Sequence, residues 1–79
     1  MAKTDYSTET LKRIGNKFKS LRIKAGYGSY ETFAMEHDLS GRYYWGVEKG
    51  RNVSLKYLLK LLQIHEITVE NFFKDLDKI

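Results

Sequence analysis

The sequence of 79 residues contains neither cysteine nor proline. Without cysteine, disulfide bonds and thiolate zinc sites are excluded as means of holding the fold together. No apolar run approaches the roughly 20 residues that a membrane-spanning helix needs, and no signal-peptide-like segment follows the first residues. These absences predict a cytoplasmic protein, without a membrane partner, whose stability depends on a packed core.

The residues that are present suffice for one small core. Apolar residues make up 42% of the chain and aromatic residues 14%, and a chain of this size buries only about 60% of its unfolded surface. We therefore expect a single domain of modest stability at residues 10–79. The polar residues 1–9 are expected to form a flexible N-terminal tail.

Apolar spacing predicts an all-α fold, a compact bundle of five short helices. In the first helix, steps of three and four residues define one face, formed by Leu11, Ile14, Phe18, Leu21 and Ala25, and Gly26 ends it. Suitable N-caps precede four further helices, namely Ser29, Ser40, Ser54 and Thr68. In the fourth helix the expected inward residues are Leu55, Leu58, Leu59 and Leu62.

Residues 29–50 form the most informative segment, which reads as a helix, a turn of about three residues and a second helix. The small Ala34 allows the two helices to cross closely, and Asp38 ends the first of them because a short acid tolerates turn geometry. This arrangement is typical of a helix-turn-helix unit, whose second helix, here residues 40–49, enters the major groove of DNA.

The positive charge is concentrated in one part of the chain. The formal net charge is +4. Residues 1–60 carry twelve basic and six acidic side chains, which gives +6, whereas residues 61–79 carry two and four, which gives −2. An uneven distribution of this kind favours a polyanionic partner for the first part of the chain.

The sequence resembles the Xre / lambda-repressor-like (Cro-type) family of helix-turn-helix DNA-binding domains over roughly residues 10–75. The matching motifs are Ile14-Gly15, Leu21-Arg22, Ser29 to Ala34, Leu39-Ser40, Val47 to Gly50, Ser54 to Leu62 and Thr68 to Phe73. The resemblance implies sequence-specific binding of double-stranded DNA by a small transcriptional regulator of the repressor, antitoxin or controller type. It further implies a homodimer on an inverted-repeat operator, and it leaves room for a regulatory protein partner.

The resemblance also implies which residues contact DNA. Base-reading positions map to Gly41, Arg42, Tyr43, Trp45 and Gly46. Phosphate-contacting positions map to Ser29, Tyr30, Lys49, Arg51, Asn52, Lys56 and Tyr57. Among the base-reading set, Arg42 alone can bond guanine N7 and O6 with two donors. Trp45 either packs on a thymine methyl or turns sideways onto a neighbouring helix, and Gly46 departs from the polar residue usual in the family.

Two further expectations concern structure rather than DNA. Arg22 and Glu48 both fall on inward helix faces, so they are expected to form an ion pair, because an unpaired buried charge is costly. The last helix is more apolar than docking requires, and Phe73, Leu76 and Ile79 are the predicted dimer interface. The alternative is that these side chains cover the core of the monomer.

Other classes of function have less support. A degenerate helix-turn-helix that binds proteins would suit the exposed aromatics Tyr43 and Trp45, and a membrane-surface module could be built on the basic helix of residues 11–25. His37 and His65 lack partners at metal-ligand spacing, so they are expected to be structural. With no catalytic arrangement of side chains and no glycine-rich phosphate loop, the sequence predicts neither an enzyme nor a cofactor or metal site.

Overall fold

The computed structural model describes residues 5–74 and residue 76. All regular secondary structure in this part of the chain is helical. The five helices are α1 (Tyr6–Lys24), α2 (Tyr30–Glu36), α3 (Gly41–Glu48), α4 (Leu55–Ile64) and α5 (Val69–Lys74). The predicted all-α bundle of five helices is confirmed. Within these described residues no helix is both long and apolar enough to cross a membrane.

Side-chain caps fix where the helices begin. Each of the three predicted serine caps accepts backbone N–H groups, as Ser54 does from Tyr57 at 3.1 Å. The hydroxyl oxygen of Thr68 likewise accepts the N–H of Asn71 at 3.1 Å. These hydrogen bonds satisfy donors that the first helical turn leaves unpaired.

The first helix starts earlier than the sequence analysis predicted. Residues 6–9, which were assigned to the flexible tail, belong to α1, while residues 1–4 of that tail lie outside the described part. The reason is that Asp5 caps α1, since its carboxylate accepts the N–H of Thr8 at 3.3 Å. The polar composition of residues 1–9 did not indicate this N-cap. Hydrogen bonds from Ser7, and then from Thr8, lower the pKa of Asp5.

The core is built from aromatic side chains of four helices and leucines of α4. Phe18 stacks on Phe72 with ring centroids 4.7 Å apart, and Phe33 packs against Tyr44 at 5.0 Å. His65 stacks on Phe33 at 5.3 Å with nearly parallel rings. Burial, reinforced by the charge of His37, lowers the pKa of His65, which favours its neutral form.

The inward face of α4 differs from the predicted one. Leu58, Leu61 and Leu62 are buried, whereas Leu55 is 71% exposed and Leu59 is 44% exposed. Leucine occupies half of the positions of α4, so the leucines form two overlapping faces and periodicity alone does not choose between them. The contacts with the other helices selected the face that contains Leu61.

Helices α1 and α3 cross at a distance that only a glycine allows. A Cβ atom on Gly15 would lie 2.4 Å from the carbonyl oxygen of Val47 and 2.7 Å from that of Glu48. Since both neighbours are backbone atoms at the end of α3, they cannot turn aside as a flexible side chain would. Gly15 therefore sets the separation of the two helices.

The predicted ion pair forms beside this crossing. Arg22 Nε donates to Glu48 Oε2 at 2.7 Å and Nη2 donates to Oε1 at 3.2 Å, so the contact is bidentate. A third donor, Nη1, bonds the carbonyl oxygen of Tyr27 at 2.8 Å. Both charged side chains are only 6% exposed. The pair fastens the end of α3 to α1 and to the loop that follows α1.

We expect Gly15→Ala to lower the free energy of unfolding by about 3 kcal/mol, because the added methyl group overpacks against backbone that cannot yield. Urea titration followed by circular dichroism measures the change. Gly41→Ala is the matched control, since a Cβ there meets nothing within 4 Å. Equal stability of the two variants would show that α1 and α3 can separate freely.

We expect Arg22→Met and Glu48→Leu, made singly, each to cost about 3–5 kcal/mol of stability, because each leaves a buried charge without its partner. The double variant should recover much of that loss, since it removes both charges together. Chemical denaturation of the four proteins gives the coupling energy. Strictly additive losses would mean that the two side chains do not act as a pair.

Candidate nucleic-acid interface

The outer face of α3 carries the side chains that the sequence analysis assigned to base reading. Tyr44 and Val47 point into the core and are 0% and 2% exposed. The helical period then turns Arg42 and Tyr43 towards solvent, while Trp45 is half-buried. The inner face of α3 thus holds the outer face in a fixed orientation.

Two shallow hollows flank this outer face. The larger, of about 560 Å³, is lined by Tyr30, Glu31, Gly41, Arg42, Trp45 and Arg51. The second, of about 390 Å³, is lined by Ser40, Arg42, Tyr43, Gly46, Arg51 and Asn52. Arg42 and Arg51 line both hollows. The structure therefore brings together residues from both predicted DNA-contacting sets.

Trp45 packs against cations, which neither of the two sequence-based alternatives anticipated. The guanidinium carbon of Arg51 lies 5.1 Å from the indole centroid, and Lys49 Nζ lies 5.5 Å from it. Both distances are within the range of cation–π attraction. The ring consequently gathers two positive charges at the end of α3.

Gly46, which was assigned to base reading, lies beneath the side chain of Arg51, and its contact with DNA stays a prediction. The residue is buried, and a Cβ atom added to it would lie 3.2 Å from Arg51 Cδ. The side chain of Arg51 thus covers the backbone that was expected to approach DNA. No feature of the sequence indicates this contact, because the contact depends on how the chain turns after Gly50.

A pair of tyrosines connects α3 to α4. The hydroxyl oxygen of Tyr43 accepts the N–H of Ser54 at 3.1 Å, and its ring packs edge-on against Tyr57 with centroids 4.4 Å apart. The Tyr57 hydroxyl is buried and has no hydrogen-bond partner among the described residues. Burial, and then the neighbouring Tyr43, raises the pKa of Tyr57 to about 12. The hydroxyl group is therefore not exposed on the surface of the domain, and the phosphate contact assigned to Tyr57 stays a prediction.

The other predicted phosphate contacts lie around the same face. Lys49, Asn52 and Lys56 are exposed, and Tyr30 is half-buried beside the larger hollow. Ser29 Oγ is engaged as the cap of α2, where it accepts the N–H of Glu31 at 3.0 Å. The phosphate contacts of these five residues, and that of Arg51, stay predictions. The described residues contain no group of three or more histidine and acidic side chains placed to hold a metal ion.

One lysine of the basic first helix has a structural role that sequence reasoning missed. Lys17 Nζ donates to the carbonyl oxygen of Phe72 at 2.7 Å and lies 5.2 Å from the centroid of the Phe72 ring. It therefore ties α1 to α5 instead of adding a charge directed at a partner. No local pattern in the sequence marks this lysine among its neighbours.

The C-terminal apolar residues divide between the core and the surface. Leu76 is 4% exposed and belongs to the monomer core, so its assignment to a dimer interface is wrong. Phe73 is 37% exposed, and Ile79 lies outside the described residues. The leucines that α4 turns outward, Leu55 and Leu59, add exposed apolar surface that the sequence analysis placed in the core.

Comparison with known proteins identifies the family. No family model matches the sequence. The control protein C.MunI from Mycoplasma sp is 43% identical over 67 residues, which cover 84% of this chain and 90% of that protein. The chain therefore belongs to the restriction-modification control protein family. Of the three predicted kinds of regulator, repressor, antitoxin and controller, this membership selects the controller.

A solved structure supports the assignment of the chain to the control protein family. The restriction-modification controller protein C.Esp1396I, crystallised as a tetramer with its natural 35 base-pair operator, superposes with a TM-score of 0.73. It is 25% identical, and the match covers 95% of each chain. The central helix-turn-helix of this control protein is thus confirmed as the architecture of a DNA-binding controller.

Proposed function

We propose that this control protein regulates transcription by binding operator DNA, with α3 in the major groove. Two observations carry the proposal. Arg42 on the outer face of α3, and Lys49 and Arg51 directly after the helix, are exposed. Tyr44 and Val47 on its inner face are buried in the core. A rigid helix with cations on its free side suits a groove lined by phosphates. Supporting it, C.Esp1396I, with a similar fold, was crystallised on its operator.

The proposal assigns different tasks to the residues of this face. Arg42 reads guanine through two donors, and Gly41, Tyr43 and Trp45 lie against neighbouring bases or sugars. The expected phosphate contacts, which position the domain without reading sequence, are Ser29, Tyr30, Lys49, Arg51, Asn52, Lys56 and Tyr57. Such a protein acts in the cytoplasm, as a regulator of the wider Xre / lambda-repressor-like type and not as an enzyme.

We propose that two copies assemble through the exposed apolar side chains of α4 and α5. Leu55, Leu59, Val69 and Phe73 are between 37% and 71% exposed, although they are large and apolar. Covering them in a two-fold dimer removes that surface from water. Two α3 helices in successive major grooves, about 34 Å apart, then require an inverted-repeat operator.

The protein-interaction alternative loses its main support. It rested on exposed aromatics, but Trp45 carries Lys49 and Arg51 on its ring, and the Tyr43 hydroxyl is bonded to Ser54. An interface built around a bare aromatic anchor needs that ring to be accessible. The structure presents a cationic surface there instead.

We expect Arg42→Ala to reduce affinity for a selected operator duplex by about 1–3 kcal/mol per half-site and to abolish preference at one guanine. Lys49→Ala, the matched loss of a neighbouring charge, should weaken all duplexes alike and lower the salt slope by about one unit. Fluorescence anisotropy on operator and scrambled duplexes at several salt concentrations measures both effects. If Arg42→Ala weakened the two duplexes equally, Arg42 would be a phosphate contact.

We expect Leu59→Glu and Phe73→Glu each to weaken self-association at least about tenfold, because each places a charge in the proposed apolar interface. Analytical ultracentrifugation without DNA measures the monomer–dimer equilibrium. Met35→Glu is the control, since Met35 is 79% exposed but lies on α2. A wild-type protein that stays monomeric at high micromolar concentration, with and without DNA, would contradict the dimer.

A further inference from the structure

The last helix is too short to keep its shape without contacts to the rest of the protein. It contains only the six residues Val69–Lys74, whereas isolated helices shorter than about 12–15 residues are marginal in water. Thr68 caps its first turn by accepting the N–H of Asn71. The carbonyl groups of its last turn, that of Phe72 among them, have no N–H partner within so short a helix. The shape of α5 at this end therefore depends on donors from elsewhere.

Lys17 on α1 supplies such a donor. Its Nζ donates to the carbonyl oxygen of Phe72 at 2.7 Å. The same ammonium group lies 5.2 Å from the centroid of the Phe72 ring, within the range of cation–π attraction. A lysine suits the end of a helix because it bonds the last carbonyl groups and its charge opposes the helix dipole. Lys17 is half-buried, so water competes with this contact less than it would at an exposed lysine.

The bonded carbonyl belongs to the peptide group that joins a buried residue to an exposed one. Phe72 is 0% exposed and stacks on Phe18 of α1, while Phe73 is 37% exposed. The rings of Phe72 and Phe73 meet edge-on with centroids 5.0 Å apart. Because a peptide group is planar, a contact that holds its carbonyl also holds the direction in which the chain enters Phe73. Lys17 thus orients an apolar side chain that the core leaves partly uncovered.

We propose that Lys17 is a positioning residue for self-association of the control protein, since it holds Phe73 in the orientation that a second copy of the chain covers. The inference rests on the proposed function, because it assumes a dimer formed through α4 and α5. Lys17 itself needs no contact with the second copy. An apolar surface that is arranged before two copies meet loses less conformational entropy when they associate.

The first test compares Lys17→Met with Lys19→Met by analytical ultracentrifugation without DNA, at a temperature at which circular dichroism shows both variants folded. Methionine keeps an unbranched side chain and lacks the donor and the charge. Lys19 is exposed on the same helix, so its replacement removes an equal charge. The dissociation constant of the dimer should rise about tenfold for Lys17→Met, since a two-fold dimer contains the contact twice, and change less than about twofold for Lys19→Met.

The second test asks whether Lys17 acts through Phe73. In a Phe73→Ala background, Lys17→Met should raise the dissociation constant by less than about twofold, because the side chain that Lys17 orients is gone. In a Leu59→Ala background the same substitution should keep its full effect, since Leu59 lies on α4 and not beside the bonded carbonyl. Equal effects in the two backgrounds would overturn the proposal.

Hydrogen exchange distinguishes local positioning from a contribution to the stability of the whole fold. It is measured in the Leu59→Glu background, which keeps the copies apart. The amide of Phe73 should exchange about tenfold faster with Lys17→Met than with Lys19→Met, because α5 opens more often. The amides of α3 and α4 should exchange at the same rates in the two variants. A uniform increase across all helices would mean that Lys17 does not position α5 in particular.

The outcomes separate this inference from the proposed function. If the wild-type protein dimerised and Lys17→Met dimerised equally well, the inference would fail and the proposed dimer would stand. If the wild-type protein stayed monomeric, the proposed dimer would fail, and the inference with it. The preference of Lys17→Met among selected and scrambled duplexes should equal that of the wild-type protein. A changed base preference would show that Lys17 acts on α3 instead of α5.

Discussion

The crossing of α1 over α3 decides the orientation of the whole candidate interface. At Gly15 the two helices approach so closely that a single methyl group would overlap the backbone of Val47 and Glu48. The bidentate contact between Arg22 and Glu48 then fixes the end of α3 at that separation. Because both charged side chains are buried, separating them would leave each charge without its partner, which is strongly unfavourable. Because this arrangement fixes the rotation of α3 about its own axis, it also fixes the direction in which the outer face of α3 points.

Some basic side chains form contacts that hold the fold together, and others remain at the surface. Lys17 and Arg22 stand in the same basic stretch of sequence, yet one bonds a carbonyl of α5 and the other the carboxylate of Glu48. Lys49 and Arg51 come from the end of α3 and the loop after it and meet on one indole ring. The positive charge on the surface therefore depends on which cationic side chains form contacts within the protein. A count of charges along the sequence cannot predict that distribution.

Apolar residues are divided in the same way at the C-terminal end. Leu76 enters the monomer core, while Leu55 and Leu59 are left outside it. All three residues are leucines. The identity of a hydrophobic residue does not predict which neighbouring element will cover its side chain. Val69 and Phe73 of α5 are exposed apolar side chains as well. The proposed dimer interface therefore includes two leucines, Leu55 and Leu59, that periodicity had placed in the core.

The sequence by itself determined the features that depend on local chemistry. Three serines and one threonine mark helix starts, Gly26 and Gly50 adopt the left-handed conformation that ends α1 and α3, and the inward faces of α1 and α3 follow from their period. These signals also sufficed to predict Arg22 with Glu48, since both are charges on inward faces. Only the packing of the helices decided that Arg51 lies against Gly46, that Tyr43 packs edge-on against Tyr57, and which leucines of α4 are buried. Those contacts join residues whose separation depends on the angles between elements, and such angles are set by the packing of the complete core rather than by neighbouring residues.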